Sequence, residues 1–259
     1  MNFFLAKEYI RYFHLKSDEH SLHSPFFYHF HLNTIKKKAF SNEWKSIENK
    51  RKALLEDESE IQIIDLGAGS KVENSQSRKI KSIARHSLSI PKFSQFLFRL
   101  IKDFKFENTI ELGTSLGINT SYLAKANSNA SIYTFEADPS AMKIAKEVNT
   151  DLENIKYYEG DIGHLLPEML NRLNPRINLV YVDANHTYEA SVEYFNLILP
   201  YLTTQSVYIM DDIHWSVGMK KAWDELKLRK EVTSSIDLFD AGLLFFNPDF
   251  QKQHYVLDF

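Results

Sequence analysis

Two segments in the second half of the chain concentrate residues able to move protons: Val182-Asp183-Ala184-Asn185-His186-Thr187-Tyr188 and Ile209-Met210-Asp211-Asp212-Ile213-His214-Trp215. A carboxylate beside an imidazole can draw a proton from a weak nucleophile such as a hydroxyl. The carboxylates in these segments are oxygen donors of the kind that suits Mg2+, Ca2+ or Mn2+. Upstream stand two glycine turns, Ile64-Asp65-Leu66-Gly67-Ala68-Gly69-Ser70 and Ile110-Glu111-Leu112-Gly113-Thr114-Ser115-Leu116-Gly117. Either could bring backbone close to a ligand, because glycine has no Cβ and accepts positive φ. The chain has no cysteine, which removes thiolate nucleophiles, disulfides and cysteine-bound metals and leaves carboxylates and histidine for acid–base work.

These residues must be held by regular elements, and the second half of the sequence alternates strand and helix patterns. Expected strands are Thr109–Leu112, Ser131–Glu136, Ile155–Glu159, Leu179–Asp183 and Val207–Met210. Expected helices between and after them are Asn119–Ala126, Pro139–Val148, Ile162–Leu173, Tyr188–Leu199 and Met219–Leu228. Two closing strands, Ser234–Leu238 and Gly242–Phe246, are separated by a connection short enough for an antiparallel hairpin. Near-continuous apolar strands alternating with helices predict an α/β fold with a doubly wound, mostly parallel seven-stranded sheet. Glu111, Glu136, Asp161 and Asp183 each stand at or just beyond the end of successive strands, where open α/β sheets bind their ligands.

The two glycine turns compete as the ligand loop. A working loop passes straight into a helix and is followed about 20–25 residues later by a strand ending in an acid that can hold a ribose. After Gly69 the chain is polar and no such strand appears. After Gly113 come the helix pattern Asn119–Ala126 and then Tyr133-Thr134-Phe135-Glu136, an apolar strand with a terminal acid. The second turn meets both conditions. A dinucleotide fingerprint would place glycine where Ser115 stands, which counts against a nicotinamide oxidoreductase.

With its sequence Ile110-Glu111-Leu112-Gly113-Thr114-Ser115-Leu116-Gly117-Ile118-Asn119-Thr120, this segment resembles the first motif of the class I S-adenosylmethionine-dependent methyltransferases, in particular the small-molecule O-methyltransferases. The resemblance extends over about residues 106–250 and implies a Rossmann-like fold. It implies cofactor contacts from Glu111 toward the amino-acid end, from Gly113, Thr114, Ser115 and Gly117 in the loop, from Glu136 to the two ribose hydroxyls, from Asp161 near the adenine, and from Asp183. The acceptor it implies is a hydroxyl on a small molecule, methylated by in-line displacement. The metal-dependent catechol-type members place an Asp after the fourth strand and an Asp-Asn pair after the fifth. Asp183, Asp211 and Asp212 match those places, with Asp212 standing for the Asn and His186 for the usual catalytic Lys. A divalent cation is therefore left open, and His186 with Asp183 is the expected proton-handling pair.

The 259 residues carry a net charge of −3, but residues 1–105 hold +7 and residues 106–259 hold −10. That asymmetry suggests a mainly helical extension (1–105) before the catalytic domain (106–259). Expected helices in the extension are Phe3–Leu15, Phe26–Lys38, Glu43–Leu55, Arg78–Arg85 and Lys92–Phe104, with a short strand at Ile61–Ile64. The run His20-Ser21-Leu22-His23-Ser24-Pro25-Phe26-Phe27-Tyr28 reads either as a lid over an acceptor or as helix packing or a homodimer face. The five histidines between His14 and His31 lack a compact ligand spacing. No aromatic-basic recognition motif accompanies the positive charge, which disfavours nucleic acid; an RNA-modifying methyltransferase remains the alternative reading, beside a non-catalytic adaptor. No apolar run approaches the roughly 18 residues of a membrane span, so the expectation is a cytoplasmic protein with no membrane partner.

Overall fold

A computed structural model of the chain describes residues 3–37, 42–63 and 77–259. The helices are α1 (Phe3–Leu15), α2 (Pro25–Phe30), α3 (Lys45–Glu56), α4 (Ile80–Ser87), α5 (Pro91–Phe104), α6 (Ile118–Ala126), α7 (Pro139–Val148), α8 (Ile162–Leu173), α9 (Tyr188–Ile198) and α10 (Val217–Leu226). The strands are β1 (Glu60–Gln62), β2 (Ser77–Lys79), β3 (Asn108–Leu112), β4 (Ser131–Glu136), β5 (Ile155–Glu159), β6 (Ile177–Val182), β7 (Leu202–Asp211), β8 (Ser234–Asp237), β9 (Ala241–Phe245) and β10 (Gln253–Val256). All but β1 and β2 belong to one mostly parallel sheet of eight strands. The chain forms two compact units, Lys38–Met169 and a unit joining Met1–Lys37 to Leu170–Phe259. Neither boundary falls at residue 105, where the charge of the sequence changes.

In the unit Lys38–Met169, β3, β4 and β5 run parallel, with Ile110 opposite Tyr133 and Phe135 opposite Tyr158. β3 is buried at four consecutive positions, Thr109 to Leu112, as a parallel strand covered on both faces must be. Helix α5 opens on Pro91 at its first turn and ends at Lys105, whose φ of 54° stops the helix in the left-handed region. It is buried almost all round, through Phe93, Phe96, Leu97, Phe98, Leu100 and Ile101. Each such apolar side chain contributes about 1.5–3 kcal/mol on burial. Trp44, Ile47 and Leu54 of the α3 region pack into one cluster with Phe98, Leu116, Ile118 and Tyr122. Arg78 and Lys79, expected to open the helix Arg78–Arg85, instead belong with Ser77 to a strand that pairs antiparallel with Glu60–Gln62, and α4 starts only at Ile80. The Gly67-Ala68-Gly69 turn and Ile64 lie outside the described residues.

In the other unit β6 and β7 are parallel, β7 and β8 are both antiparallel to β9, and β10 runs parallel to β8. The expected hairpin is β8–β9. The eighth strand, β10, was not expected: only Tyr255 of its four residues is buried, so it leaves no alternating apolar signal. Helix α2 is held by aromatic rings, with Phe27 5.2 Å and Phe30 5.6 Å from Phe245 between centroids, and Phe27 4.7 Å from Tyr255. The single helix expected over Phe26–Lys38 breaks at Phe30 into a π-helical turn, His31–Ile35, that turns His31, Thr34 and Ile35 all inward. Tyr12 of α1 donates its hydroxyl to the Leu257 carbonyl at 2.6 Å, and Lys16 and Lys36 both pair with Asp258. The first and last segments of the chain are thereby fastened together. Among the described residues no helix is long and apolar enough to cross a membrane.

Candidate functional site

β3 delivers the chain into the loop Gly113–Gly117, which turns sharply: φ is 96° at Gly113, 49° at Ser115 and 79° at Gly117. The N–H groups of Gly113 and Thr114 both donate to the Phe135 carbonyl at 3.0 Å, and Gly117 N–H donates to the Thr114 carbonyl at 2.9 Å. Gly117 then caps α6. A Cβ there would lie 2.7 Å from Asn149 Nδ2 and 2.9 Å from Ala145 Cα, so glycine is what lets α6 and α7 approach. Glu136, at the end of β4, holds the loop from across the turn. Its Oε2 accepts the Ser115 N–H at 2.8 Å and its Oε1 the Asp138 N–H at 3.0 Å. Burial pushes the Glu136 carboxyl up, opposed by the N–H groups of Asp138 and Ser115. Each carboxylate oxygen can accept more than one donor, so both retain capacity for ligand hydroxyls.

Other expected cofactor residues have local partners. Glu111 is 0% exposed, and its Oε2 accepts the hydroxyls of Thr120 and Thr134, each at 2.6 Å. Thr114 is buried with its hydroxyl 2.5 Å from that of Thr134. Asp161 is exposed and accepts the Gly163 N–H at 2.9 Å, while its carbonyl accepts from His164 and Leu165; it caps α8. Ser115 Oγ lies 2.9 Å from Ser87 Oγ. A network missed from the sequence ties preceding helices to the loop's own helix. Buried Arg51 donates to the Ser89 carbonyl at 2.6 Å and to Ser94 Oγ at 3.0 Å, Ser94 donates to Asn119 Oδ1 at 2.7 Å, and Asn119 donates to Ser89 Oγ at 2.8 Å.

The second group of site residues belongs to the other unit. Val182, the last residue of β6, lies opposite Met210, so Asp183 follows β6 beside Asp211, the last residue of β7. The buried Tyr181 hydroxyl lies 3.0 Å from Asp183 Oδ2 and 2.9 Å from Asp211 Oδ2. A phenol has one proton to donate, so a proton on one carboxyl completes this set. Burial, then the charges of Asp183 and Asp212, push Asp211 well above the usual carboxylate range. Asp212 is pushed up to about 6 by burial, against the pull of His186. His186 Nε2 stands 3.4 Å from both Asp183 Oδ1 and Asp212 Oδ2. Burial pulls the imidazole down, but Asp183 and Asp212 together raise it above its ordinary value. Asn185 and Asp212 both sit at positive φ, 47° and 55°, which turns the chain sharply at both strand ends.

Residues 110–213 match the family described as "Methyltransferase domain". Solved structures with the same fold include the SAH-bound methyltransferase PaMTH1 of Podospora anserina, 13% identical over 87% of this chain and 97% of that one, with a TM-score of 0.59. A second is the O-methyltransferase of Bacillus cereus in complex with SAH, 16% identical over 80% and 90%, TM-score 0.58. A third is the O-methyltransferase TomG of Streptomyces achromogenes, involved in tomaymycin synthesis and solved with SAM, 20% identical over 61% and 81%, TM-score 0.54. No curated protein matches the chain. The chain thus shares the fold of these solved methyltransferases.

The structure does not bring Asp183, Asp211 and Asp212 together as a metal centre. Among the described residues no three His, Asp or Glu side chains are grouped to hold an ion. Asp183 and Asp211 are bridged by the Tyr181 hydroxyl, and Asp212 turns to His186. This donor set does not fit a divalent cation. His214 is buried between Glu8 (Nδ1 to Oε2, 3.1 Å) and Asp237 (Nε2 to Oδ2, 2.9 Å), with its ring stacked on Phe239 at 5.1 Å. With a carboxylate on each nitrogen, the imidazole bridges three elements: α1, the β7–α10 connection and β8. Trp215 is exposed. Asp240 follows the positive-φ Phe239 in the hairpin turn, as a turn residue should. Two signals could have exposed the missed residues. Tyr181 lies two before Asp183, on the same strand face, and Glu8 is an acid inside an otherwise apolar helix stretch.

Proposed function

We propose that the chain is an S-adenosylmethionine-dependent O-methyltransferase acting on a hydroxyl of a small molecule. The observation that carries the reading is the Gly113–Gly117 loop locked to Glu136, a turn with Ser115 where a dinucleotide fingerprint has glycine and a carboxylate with acceptor capacity left. In this reading Glu136 binds the ribose hydroxyls, the loop backbone lies against the cofactor, and Ser115 and Asp161 border it. Glu111 and Thr114 act from behind, through the Thr120 and Thr134 hydroxyls that stiffen the strand end. When bound, the sulfonium cofactor supplies an electrophilic methyl group.

A hydroxyl acceptor becomes a competent nucleophile only as its proton leaves. His186 serves as the base. Its Nε2 is turned to Asp183 and Asp212, which leaves Nδ1 to receive the proton. The two carboxylates, loose at 3.4 Å in this structure, stabilise the imidazolium that forms, as catalytic contacts do when they tighten around substrate. Tyr181 fixes Asp183 for that role. The test is transfer of a radiolabelled methyl group from S-adenosylmethionine to a panel of small phenols, catechols and sugars. The reading expects transfer that His186→Ala reduces at least 100-fold without loss of cofactor binding. Transfer to nitrogen acceptors alone, or undiminished transfer by His186→Ala, contradicts it.

A further inference from the structure

Helix α1 has two apolar faces, and the fold uses only one. Its inward face carries Glu8 and Tyr12, both buried and bonded to His214 and to the Leu257 carbonyl. Its outward face carries Phe3 (85% exposed), Ile10 (58%) and Phe13 (55%), with Ala6 between them. The spacing 3-6-10-13 is one continuous helical stripe. Scattered exposed apolar residues need no explanation, but a contiguous set of large ones does. Five of the eleven large apolar residues exposed among the described residues lie on this helix, Tyr9 and Leu15 completing the set.

The charges around the stripe are of one sign. Lys7, Arg11 and His14 are exposed beside it, and the helix's only acid, Glu8, is turned inward and held by His214. An apolar stripe of Phe and Ile rimmed by Lys and Arg has the make-up of a helix lying in a bilayer interface. Its apolar side chains enter the acyl boundary and its basic ones meet anionic headgroups. The same charge pattern opposes a second copy docking α1 against α1, which would set Lys7 and Arg11 of one helix near those of the other. We propose that the exposed face of α1 is a peripheral docking surface for an anionic lipid bilayer. It attaches the protein without spanning, in keeping with the described residues, among which no helix is long and apolar enough to cross a membrane.

The experiment is cosedimentation of the full chain with sucrose-loaded vesicles of phosphatidylcholine alone and of phosphatidylcholine with 30% phosphatidylserine, at about 0.1 M and 0.5 M salt. Binding is expected with phosphatidylserine vesicles at the lower salt, with loss at the higher salt as screening shortens the reach of the basic rim. Lys7→Gln with Arg11→Gln is expected to weaken it about 30-fold, at roughly a factor of five per basic residue. Ile10→Ser with Phe13→Ser is expected to abolish it, while both pairs keep the wild-type circular dichroism because none of the four side chains is buried. Equal partitioning to the two vesicle compositions overturns the proposal. So does a dimer in light scattering that Ile10→Ser with Phe13→Ser dissociates, which assigns the stripe to a second copy. The wild-type vesicle series decides the question even if a variant fails to fold.

Discussion

Replacing Gly117 with alanine attacks the loop at its tightest point. The residue sits at a φ of 79°, and its Cβ would lie 2.7 Å from Asn149 Nδ2 and 2.9 Å from both Cα and Cβ of Ala145. A non-glycine residue in the left-handed region costs about 1–2 kcal/mol. Forcing a methyl group against the α7 backbone costs about 1–3 kcal/mol more, and the lost unfolded-state freedom of glycine returns about 0.4–1 kcal/mol. The net is about 2–4 kcal/mol, a large share of a total stability of about 5–15 kcal/mol. With a urea slope of about 2 kcal/mol/M, the midpoint should fall by roughly 1–2 M. Trp44, packed in the cluster that contains Leu116, Ile118 and Tyr122, reports the transition by fluorescence. The control is Gly163→Ala, where the nearest atom to a new Cβ is Asp161 Oδ1 at an ordinary 3.5 Å and the change should be neutral or stabilising by up to about 1 kcal/mol. A Gly117→Ala midpoint equal to that of Gly163→Ala would refute the argument that this glycine is required by helix packing.

Three other outcomes follow from the same geometry. The acid limb of kcat/KM should rise with pH as His186 loses its proton, at a pH above the ordinary imidazole range because Asp183 and Asp212 raise it. Asp183→Asn removes a negative neighbour, weakens the imidazolium and should move that limb to lower pH, read from a pH–rate profile; an unmoved limb contradicts the pairing. Glu8→Ala strips a carboxylate from buried His214 and should cost about 3 kcal/mol in urea denaturation, against little for Asp18→Ala. Gly242→Ala places a Cβ 2.5 Å from the Trp223 ring and should lower the melting temperature by several degrees, at about 1–3 kcal/mol, with a matching change in tryptophan emission.

The sequence carried the α/β alternation plainly because a strand buried on both faces is a continuous apolar run: Ser131–Glu136, buried at four consecutive positions, is expected and observed with the same ends, as is the less buried edge strand Ile155–Glu159. The helices Pro139–Val148 and Ile162–Leu173 also match at both ends, each preceded by an Asp, whose side chain accepts N–H groups of the first turn. β10 was illegible since an exposed edge strand needs no pattern of its own. The loop was legible through its glycines, and the structure supplies their reason at Gly117. What the sequence could not reveal were pairings across long separations. Glu8 meets His214 across 206 positions, and Arg51 reaches Ser94 across 43. Tyr181 likewise joins Asp183 to Asp211, an arrangement set by strand pairing. Those contacts turned a metal-like trio of acids into a hydrogen-bonded pair and a His186 partner.

The most direct measurement is an isothermal titration of the purified chain with S-adenosylmethionine, repeated on Glu136→Ala. Glu136 is the carboxylate whose two oxygens lock the Ser115 and Asp138 amides, and it is the group assigned to the ribose. The account predicts saturable one-to-one binding by the wild-type chain and loss of at least a hundredfold in affinity in the variant, the cost of about 3 kcal/mol expected for charged hydrogen bonds to both hydroxyls. Absence of heat with both S-adenosylmethionine and S-adenosylhomocysteine, or equal affinity in the Glu136→Ala chain, contradicts it.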